Sequence, residues 1–152
     1  MLMINQSFIQ LIENYKKNNK DVDLVRKYLL SNVYELDNLN EYIPKDTDYI
    51  LDCCDTVTTK MSLIKYAKDN NIPIICAMGT GNRLDPTKLT ITDIYETNND
   101  PLAKIMRKLC KNNCIKKLDV VTSMELPIKT HDRTPGSTPF VPSVAGIYMA
   151  SF

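Results

Sequence analysis

The sequence predicts an α/β protein with a largely parallel sheet, and two observations support this fold class. Short apolar runs with the length of buried strands, such as residues 48–54 and 73–78, alternate with segments whose apolar residues recur at helical spacing. Only a few polar residues connect each segment to the next. This alternation is typical of parallel strands that are joined by crossover helices.

The first third of the chain predicts a helix, a strand and a second helix. Apolar residues recur at helical spacing over residues 8–15, and a polar run at 16–19 ends the pattern. An apolar segment near residues 22–25 is predicted to begin a strand. A short amphipathic helix over residues 36–43 is predicted to end before Pro44.

The middle of the chain predicts two buried strands with a helix between them. The strands are residues 48–54 and 73–78, and the helix spans residues 56–70 with an apolar stripe along one side. Either Asp55 or Thr56 suits the N-cap of this helix. The second strand leads into a loop with two glycines.

The remaining residues predict two strands and two helices. Residues 89–94 alternate like a half-exposed strand, a helix begins at Pro101, and residues 118–122 form another strand. Residues 125–142 contain four prolines and are predicted to be a long loop. Residues 144–152 are predicted to form a closing helix.

Composition excludes several classes of protein. The 152 residues suit one domain, and 43% hydrophobic with 24% charged residues is ordinary for a globular protein. The 19 Lys and Arg residues are balanced by 18 Asp and Glu, which excludes a globally basic nucleic-acid binder. No apolar run has the length of a membrane span. The four glycines leave no place for a G-x-G-x-x-G or P-loop motif.

The cysteines predict a reducing compartment. Their number is five, which is odd, and their spacing gives no disulfide framework. No secretory signal opens the chain. We therefore expect a cytoplasmic protein with free thiols.

Polar residues and glycines follow two neighbouring strands of the predicted sheet. Asp52 and Asp55 lie at the end of one strand, and the loop carrying Gly79, Gly81 and Asn82 follows the next. Ligands of such sheets bind beyond the carboxyl ends of the strands, so we expect these groups to be neighbours. The carboxylates suit Mg²⁺, and the glycines would allow close approach of the backbone to a ligand and positive φ angles. A helix cap and a tight turn are the open alternatives.

The predicted helix after Pro101 has a basic face. Six basic residues and no acidic ones lie between Pro101 and Leu118, and four of them share the side opposite the apolar stripe. Such a face can neutralise phosphates, although a solvated helix surface is an equal alternative. The four residues are Lys104, Arg107, Lys108 and Lys111.

Several segments, in the right order, resemble the ubiquitin-activating-enzyme-like adenylating proteins, the group of ThiF, MoeB and HesA. Residues 49–60 resemble the Asp-x-x-Asp motif that joins a strand to a helix in this group. Other segments are similar to its tRNA threonylcarbamoyladenosine dehydratase branch. They are Met78-Gly-Thr-Gly-Asn-Arg-Leu-Asp-Pro-Thr87, residues 92–97, residues 100–108, Pro135-Gly-Ser137, Phe140-Val-Pro142 and Ala145-Gly146.

The resemblance implies ATP-dependent cyclisation of threonylcarbamoyladenosine in tRNA, with ATP and Mg²⁺ as cofactors. The side-chain carboxylate of the nucleoside is activated with ATP, and loss of water then closes a ring. Asp55 matches the position that serves the Mg²⁺–ATP site, and Asp52 lies beside it. Gly79, Gly81 and Asn82 would line the same nucleotide pocket. The basic helix face would contact tRNA, an inference that rests on charge alone.

The family pattern is incomplete in this sequence, because its glycine-rich nucleotide loop, acidic ribose-binding residue and phosphate-binding basic residues have no counterpart. We therefore expect residues 1–152 to form a single partial ThiF-type adenylation domain. Its sheet would be a partial doubly wound, Rossmann-like sheet without the amino-terminal nucleotide-loop unit, and with an added carboxyl-terminal region of mixed strands and helix. Such a chain is expected to bind ATP poorly by itself. No catalytic residue is assigned, because no cysteine matches a nucleophile and His131 has no partner.

Two other functions stay open at this point. One, within the family, is the adenylation of a ubiquitin-like sulfur carrier protein. The other is a non-catalytic remnant that binds RNA or protein. Candidate partners are tRNA, a sulfur-transfer or desulfurase-type protein and a second copy of the chain, and no membrane partner is expected. A broken or mis-started gene product would instead be poorly soluble.

Overall fold

The computed structural model describes residues 39, 43–44, 46–130 and 134–152. The chain divides into two units, Met1–Asp48 and Tyr49–Phe152. In the first unit Leu39 is helical and buried, and its carbonyl accepts a 2.8 Å hydrogen bond from the Ile43 amide. The other elements predicted before Pro44, and His131, lie outside the described residues.

The described part of the second unit alternates strands and helices, as predicted. In chain order its elements are β1 Ile50–Asp52, α1 Val57–Asp69, β2 Ile74–Ala77, β3 Leu89–Asp93, α2 Pro101–Asn112, β4 Asp119–Ser123 and α3 Phe140–Ser151. Two short 3₁₀ turns, Pro86–Lys88 and Ile94–Glu96, flank β3.

The four strands form one mixed sheet in the order β1-β2-β4-β3. Strands β1, β2 and β4 are parallel, with Asp52 opposite Cys76 and Ala77 opposite Val121. Strand β3 runs antiparallel to β4, with Leu89 opposite Ser123. The prediction of a parallel α/β sheet with a mixed carboxyl-terminal region is therefore confirmed.

Helices cover both faces of the sheet. Helix α1 packs on β1 and β2 and contacts α2, whereas α3 packs on β2, β3 and β4. The core under α3 is a cluster of buried apolar side chains. These are Ile75, Leu89, Val121, Val141, Ala145 and Met149. Strands β2 and β4 are buried on both faces, which explains why their sequences are continuous apolar runs.

The boundary of α3 differs from the prediction. The four prolines of residues 125–142 predict a loop, but α3 already begins at Phe140 and contains Pro142. Pro142 is the third residue of the helix. Because amides of the first helical turn have no intrahelical acceptor, a proline there breaks no hydrogen bond. The number of prolines alone therefore predicts a start of α3 that is too late in the chain.

No helix in the described part of the chain combines the length and apolar character that crossing a membrane requires.

Candidate functional site

The carboxyl ends of β1, β2 and β4 lie along one edge of the sheet because these strands are parallel. Asp52 ends β1, Ala77 ends β2 and Ser123 ends β4. Since Asp52 lies opposite Cys76, the turn after β1 and the glycine loop after β2 leave the sheet side by side. The structure therefore brings together the two places that the sequence suggested.

Asp52 is buried at this edge of the sheet, and both of its carboxylate oxygens are bonded to other residues of the protein. Its Oδ2 lies 2.7 Å from the Nζ of Lys60, and neither side chain is exposed to solvent. Its Oδ1 accepts a 3.0 Å hydrogen bond from the Cys54 amide. The Lys60 ammonium also donates to the Ala77 carbonyl over 3.0 Å. Burial is the largest single influence on the pKa of Lys60 and lowers it, but the neighbouring groups, with the Asp52 carboxylate first among them, together outweigh burial and raise that pKa, so the ammonium stays charged.

Asp55 has the opposite surroundings. It lies in the turn between β1 and α1, is exposed, and accepts no hydrogen bond from any residue that the structure describes. The N-cap of α1 is Thr56, whose side chain makes no capping hydrogen bond either. Helix capping thus does not account for Asp55. Its carboxylate is open to a ligand, such as a hard cation that prefers oxygen donors.

Three thiols surround the Asp52 carboxylate, and all three have raised pKa values. Burial, followed by the nearby Asp52 charge, raises the pKa of Cys54 to about 12. The same two causes, in the same order, raise the pKa of Cys53 and of Cys76. These groups are therefore thiols rather than thiolates near neutral pH, and they are poor nucleophiles.

Gly79 is held by Asp100 from the start of α2. The Gly79 amide donates to Asp100 Oδ2 over 2.9 Å, while Asp100 Oδ1 accepts from the Ala103 amide over 3.1 Å and caps α2. Thr122 Oγ1 lies 3.3 Å from the same Asp100 Oδ2. A Cβ at Gly79 would lie 3.0 Å from Asp100 Oδ1. The close approach of the Asp100 carboxylate therefore explains why residue 79 is a glycine.

The rest of the glycine loop contacts the segment before α3. The Asn82 amide donates to the Gly136 carbonyl over 2.7 Å, and the Gly136 amide donates to Asn82 Oδ1 over 2.6 Å. A Cβ at Gly81 would lie 2.7 Å from Pro135 Cβ. The positive φ of this loop, 57°, is at Asn82 and at neither glycine. The expectation that the glycines supply positive φ is therefore wrong. The close contacts of Gly79 and Gly81 are with Asp100 and Pro135 of the chain itself, and close approach to a ligand stays a prediction.

A buried arginine, which the sequence did not single out, joins the loops at this edge. Arg83 is 2% exposed. Its guanidinium donates to the carbonyls of Ser123, Glu125 and Asn99. The Glu125 carboxylate in turn accepts hydrogen bonds from the Leu84 and Asp85 amides. Nothing in local spacing signals Arg83, but Lys60 was detectable, because it shares the buried stripe of Ile64 and Ala67.

The basic face of α2 is only partly free. Lys104, Lys108 and Lys111 are exposed, and Lys111 Nζ lies 5.9 Å from the ring centroid of Tyr95. Arg107 is half-buried and donates to the carbonyl of Thr97 over 2.7 Å. The structure therefore leaves three of the four predicted cations available to a ligand.

No family model matches the chain. The tRNA threonylcarbamoyladenosine dehydratase of Bacillus subtilis is 34% identical over 134 residues, which cover 76% of this chain and 53% of that protein. The Escherichia coli protein of the same name is 36% identical over 77 residues, or 51% of this chain and 29% of that protein. The chain spans about half the length of the B. subtilis relative.

The solved structures that resemble this fold include proteins of the same name as the sequence relatives. The E. coli dehydratase in complex with AMP matches with a TM-score of 0.70 at 30% identity, covering 76% of this chain and 50% of that one. The complex of the same enzyme with ATP matches with a TM-score of 0.69, also at 30% identity. The chain is thus a homologue of the tRNA threonylcarbamoyladenosine dehydratases, a ThiF/MoeB-like family with a Rossmann-like fold.

Proposed function

We propose that this chain provides one part of an ATP-dependent tRNA threonylcarbamoyladenosine dehydratase, namely the sheet edge with Asp55. The observation that carries the proposal is the free Asp55 carboxylate, in a fold similar to that of an enzyme solved with both ATP and AMP. Asp52 does not suit a ligand role, since both of its oxygens are already bonded inside the protein.

The residues divide into two roles in this proposal. Asp55 binds Mg²⁺, which proteins commonly hold through one or two carboxylates together with substrate phosphates. Gly79, Gly81 and Asn82 shape the wall beside the nucleotide, but the amides of Gly79 and Asn82 are already used within the fold. These loop residues therefore act through shape rather than by donating those amides to phosphates.

The proposed reaction activates the threonylcarbamoyl carboxylate of the tRNA nucleoside with ATP and then closes a ring with net loss of water. The protonated thiols around Asp52 suit this chemistry, because a thiolate there would capture an activated carboxylate as a thioester. This property disfavours a mechanism through Cys53, Cys54 or Cys76. No residue of the chain is assigned as a catalytic nucleophile.

We assign the tRNA contact to the exposed lysines of α2, Lys104, Lys108 and Lys111. Asp100 caps the start of helix α2 and also accepts a hydrogen bond from the Gly79 amide, so the helix starts beside the proposed nucleotide site. Arg107 is bonded to Thr97 and supports this surface from within. A homodimer and a sulfur-transfer protein partner stay predictions. The five free cysteines favour a reducing compartment such as the cytoplasm.

A second candidate function is RNA binding without catalysis. The exposed lysines of α2 favour it, because that surface does not depend on a nucleotide. Adenylation of a sulfur carrier protein has no comparable support among the described contacts.

A chimera tests the proposed function. The matching half of the B. subtilis dehydratase is replaced by this chain, and the chimera is expressed in bacteria that lack their own dehydratase. We expect tRNA digests analysed by mass spectrometry to contain the dehydrated nucleoside. Asp55→Asn should reduce it by about 10²-fold or more, because the metal ligand loses its charge.

Asp69→Asn is the matched control, since Asp69 is an exposed carboxylate at the far end of the same helix. A chimera that accumulates as folded protein yet dehydrates no tRNA would contradict the proposed function. Equal activity of the Asp55 and Asp69 variants would contradict the metal role of Asp55.

A further inference from the structure

The Asp52–Lys60 ion pair occupies an unusual place for a buried pair of charges. Lys60 lies in the first turns of α1 and reaches the ends of two strands, through Asp52 of β1 and the Ala77 carbonyl of β2. Both side chains are inaccessible to solvent. Two charges removed from water cost several kcal/mol each in desolvation, which their attraction offsets only with good geometry.

We propose that Lys60 is a positioning residue for the site beside β1. Its ammonium fixes the end of β1 against the end of β2 and keeps the Asp52 carboxylate inside the protein, so that Asp55 alone is presented to a divalent cation. This inference rests on the metal role of Asp55 in the proposed function, and it adds a residue that touches neither metal nor nucleotide.

The hydrogen bonds of the turn support this role. Asp52 uses Oδ2 for Lys60 and Oδ1 for the Cys54 amide, which lies one residue before Asp55. A displacement of the Asp52 carboxylate therefore moves the backbone that carries Asp55. The Ala77 carbonyl, the second acceptor of Lys60, lies two residues before Gly79, so the same ammonium also orients the start of the glycine loop.

The alternative is that the pair serves stability alone. Buried ion pairs can often be replaced by neutral side chains of similar size with no loss of stability, whereas removal of one partner is strongly destabilising. The double variant Asp52→Asn with Lys60→Met therefore separates the two roles. The asparagine keeps an oxygen for the Cys54 amide, and both charges are removed together. What is lost is the pair of hydrogen bonds by which Lys60 joins the ends of β1 and β2.

The experiment uses the full chain, isotope-labelled for NMR, with Mn²⁺ alone as the probe. In the unsubstituted protein we expect Mn²⁺ to broaden the Asp55 amide signal at lower concentration than the Asp69 signal. In the double variant the Asp55 signal should need about tenfold more Mn²⁺. Hydrogen exchange of the Cys54 amide should be about tenfold faster, while thermal unfolding stays cooperative. Lys65→Met, an exposed lysine of the same helix, is the control and should change neither.

The possible outcomes are distinct. A cooperatively folded double variant with unchanged exchange at Cys54 and unchanged broadening at Asp55 would overturn the positioning role. If Mn²⁺ without nucleotide does not prefer Asp55 in the unsubstituted protein, exchange at Cys54 alone decides whether Lys60 holds the turn, and the Asp55→Asn chimera decides the metal role of Asp55. If the double variant does not fold, Lys60→Gln is compared in the same way, and wild-type exchange there would refute the proposal.

Discussion

Asp52 and Asp55 are three residues apart, yet their carboxylates have opposite surroundings. The sequence placed both at the nucleotide site, because spacing alone cannot tell which of two neighbouring carboxylates turns inward. The ion pair with Lys60 accounts for the burial of Asp52, whereas Asp55 is exposed and accepts no hydrogen bond from any described residue. The side chain of one residue eight positions away thus decides which aspartate is available.

The raised pKa of Cys54, in the same turn, should make its thiol react slowly with alkylating agents. Because the pKa of Cys54 is about 12 rather than the ordinary 9.0, its thiolate fraction below pH 9 should be about a thousandfold smaller. Alkylation by iodoacetamide should therefore keep rising about tenfold per pH unit beyond pH 9, as followed by peptide mass spectrometry. The double variant Asp52→Asn with Lys60→Met should lower the pKa of Cys54 and speed the reaction, since the charge of Asp52 raises that pKa more than the charge of Lys60 lowers it. An alkylation rate that levels off near pH 9 would show that Asp52 and burial do not act as described.

At the scale of elements, the helices and strands were predictable and most contacts of the loops were not. Helical periodicity and short apolar runs are local signals, so α1, α2 and all four strands follow from them. The bonds that shape the site join residues far apart in the chain, such as Asn82 to Gly136 across 54 positions. Only the packed fold supplies them, and for this reason the sequence indicated the glycine loop but not what it contacts.

Two glycine substitutions should have opposite effects on stability. Gly81→Ala places a Cβ 2.7 Å from Pro135 Cβ, so the segment before α3 must move, and we expect a loss of about 1–3 kcal/mol. Gly146→Ala lies inside α3 with open space around the new methyl group, and it should add about 0.5–1 kcal/mol. Urea unfolding measures both. Equal effects of the two alanines would mean that the loop does not pack against Pro135 in solution.

For the whole molecule, charge distribution matters more than net charge. The formal net charge is only +1, yet three exposed lysines lie along α2. A nearly neutral protein can still bind RNA through such a patch, because the affinity depends on how many phosphates are neutralised locally. The proposed function needs this patch to face tRNA, whereas the simpler alternative leaves it as an ordinary solvated helix surface.

Salt dependence of tRNA binding separates these two possibilities. If Lys104, Lys108 and Lys111 each neutralise one phosphate, their replacement by glutamine should make the slope of log affinity against log salt shallower by about 2–3. Filter binding with tRNA from cells that lack the dehydratase measures the slope. The control replaces three other exposed lysines, Lys65, Lys68 and Lys88, and so changes the net charge equally. Equal slopes for the two triple variants would assign the effect to overall charge and would remove α2 from the tRNA surface.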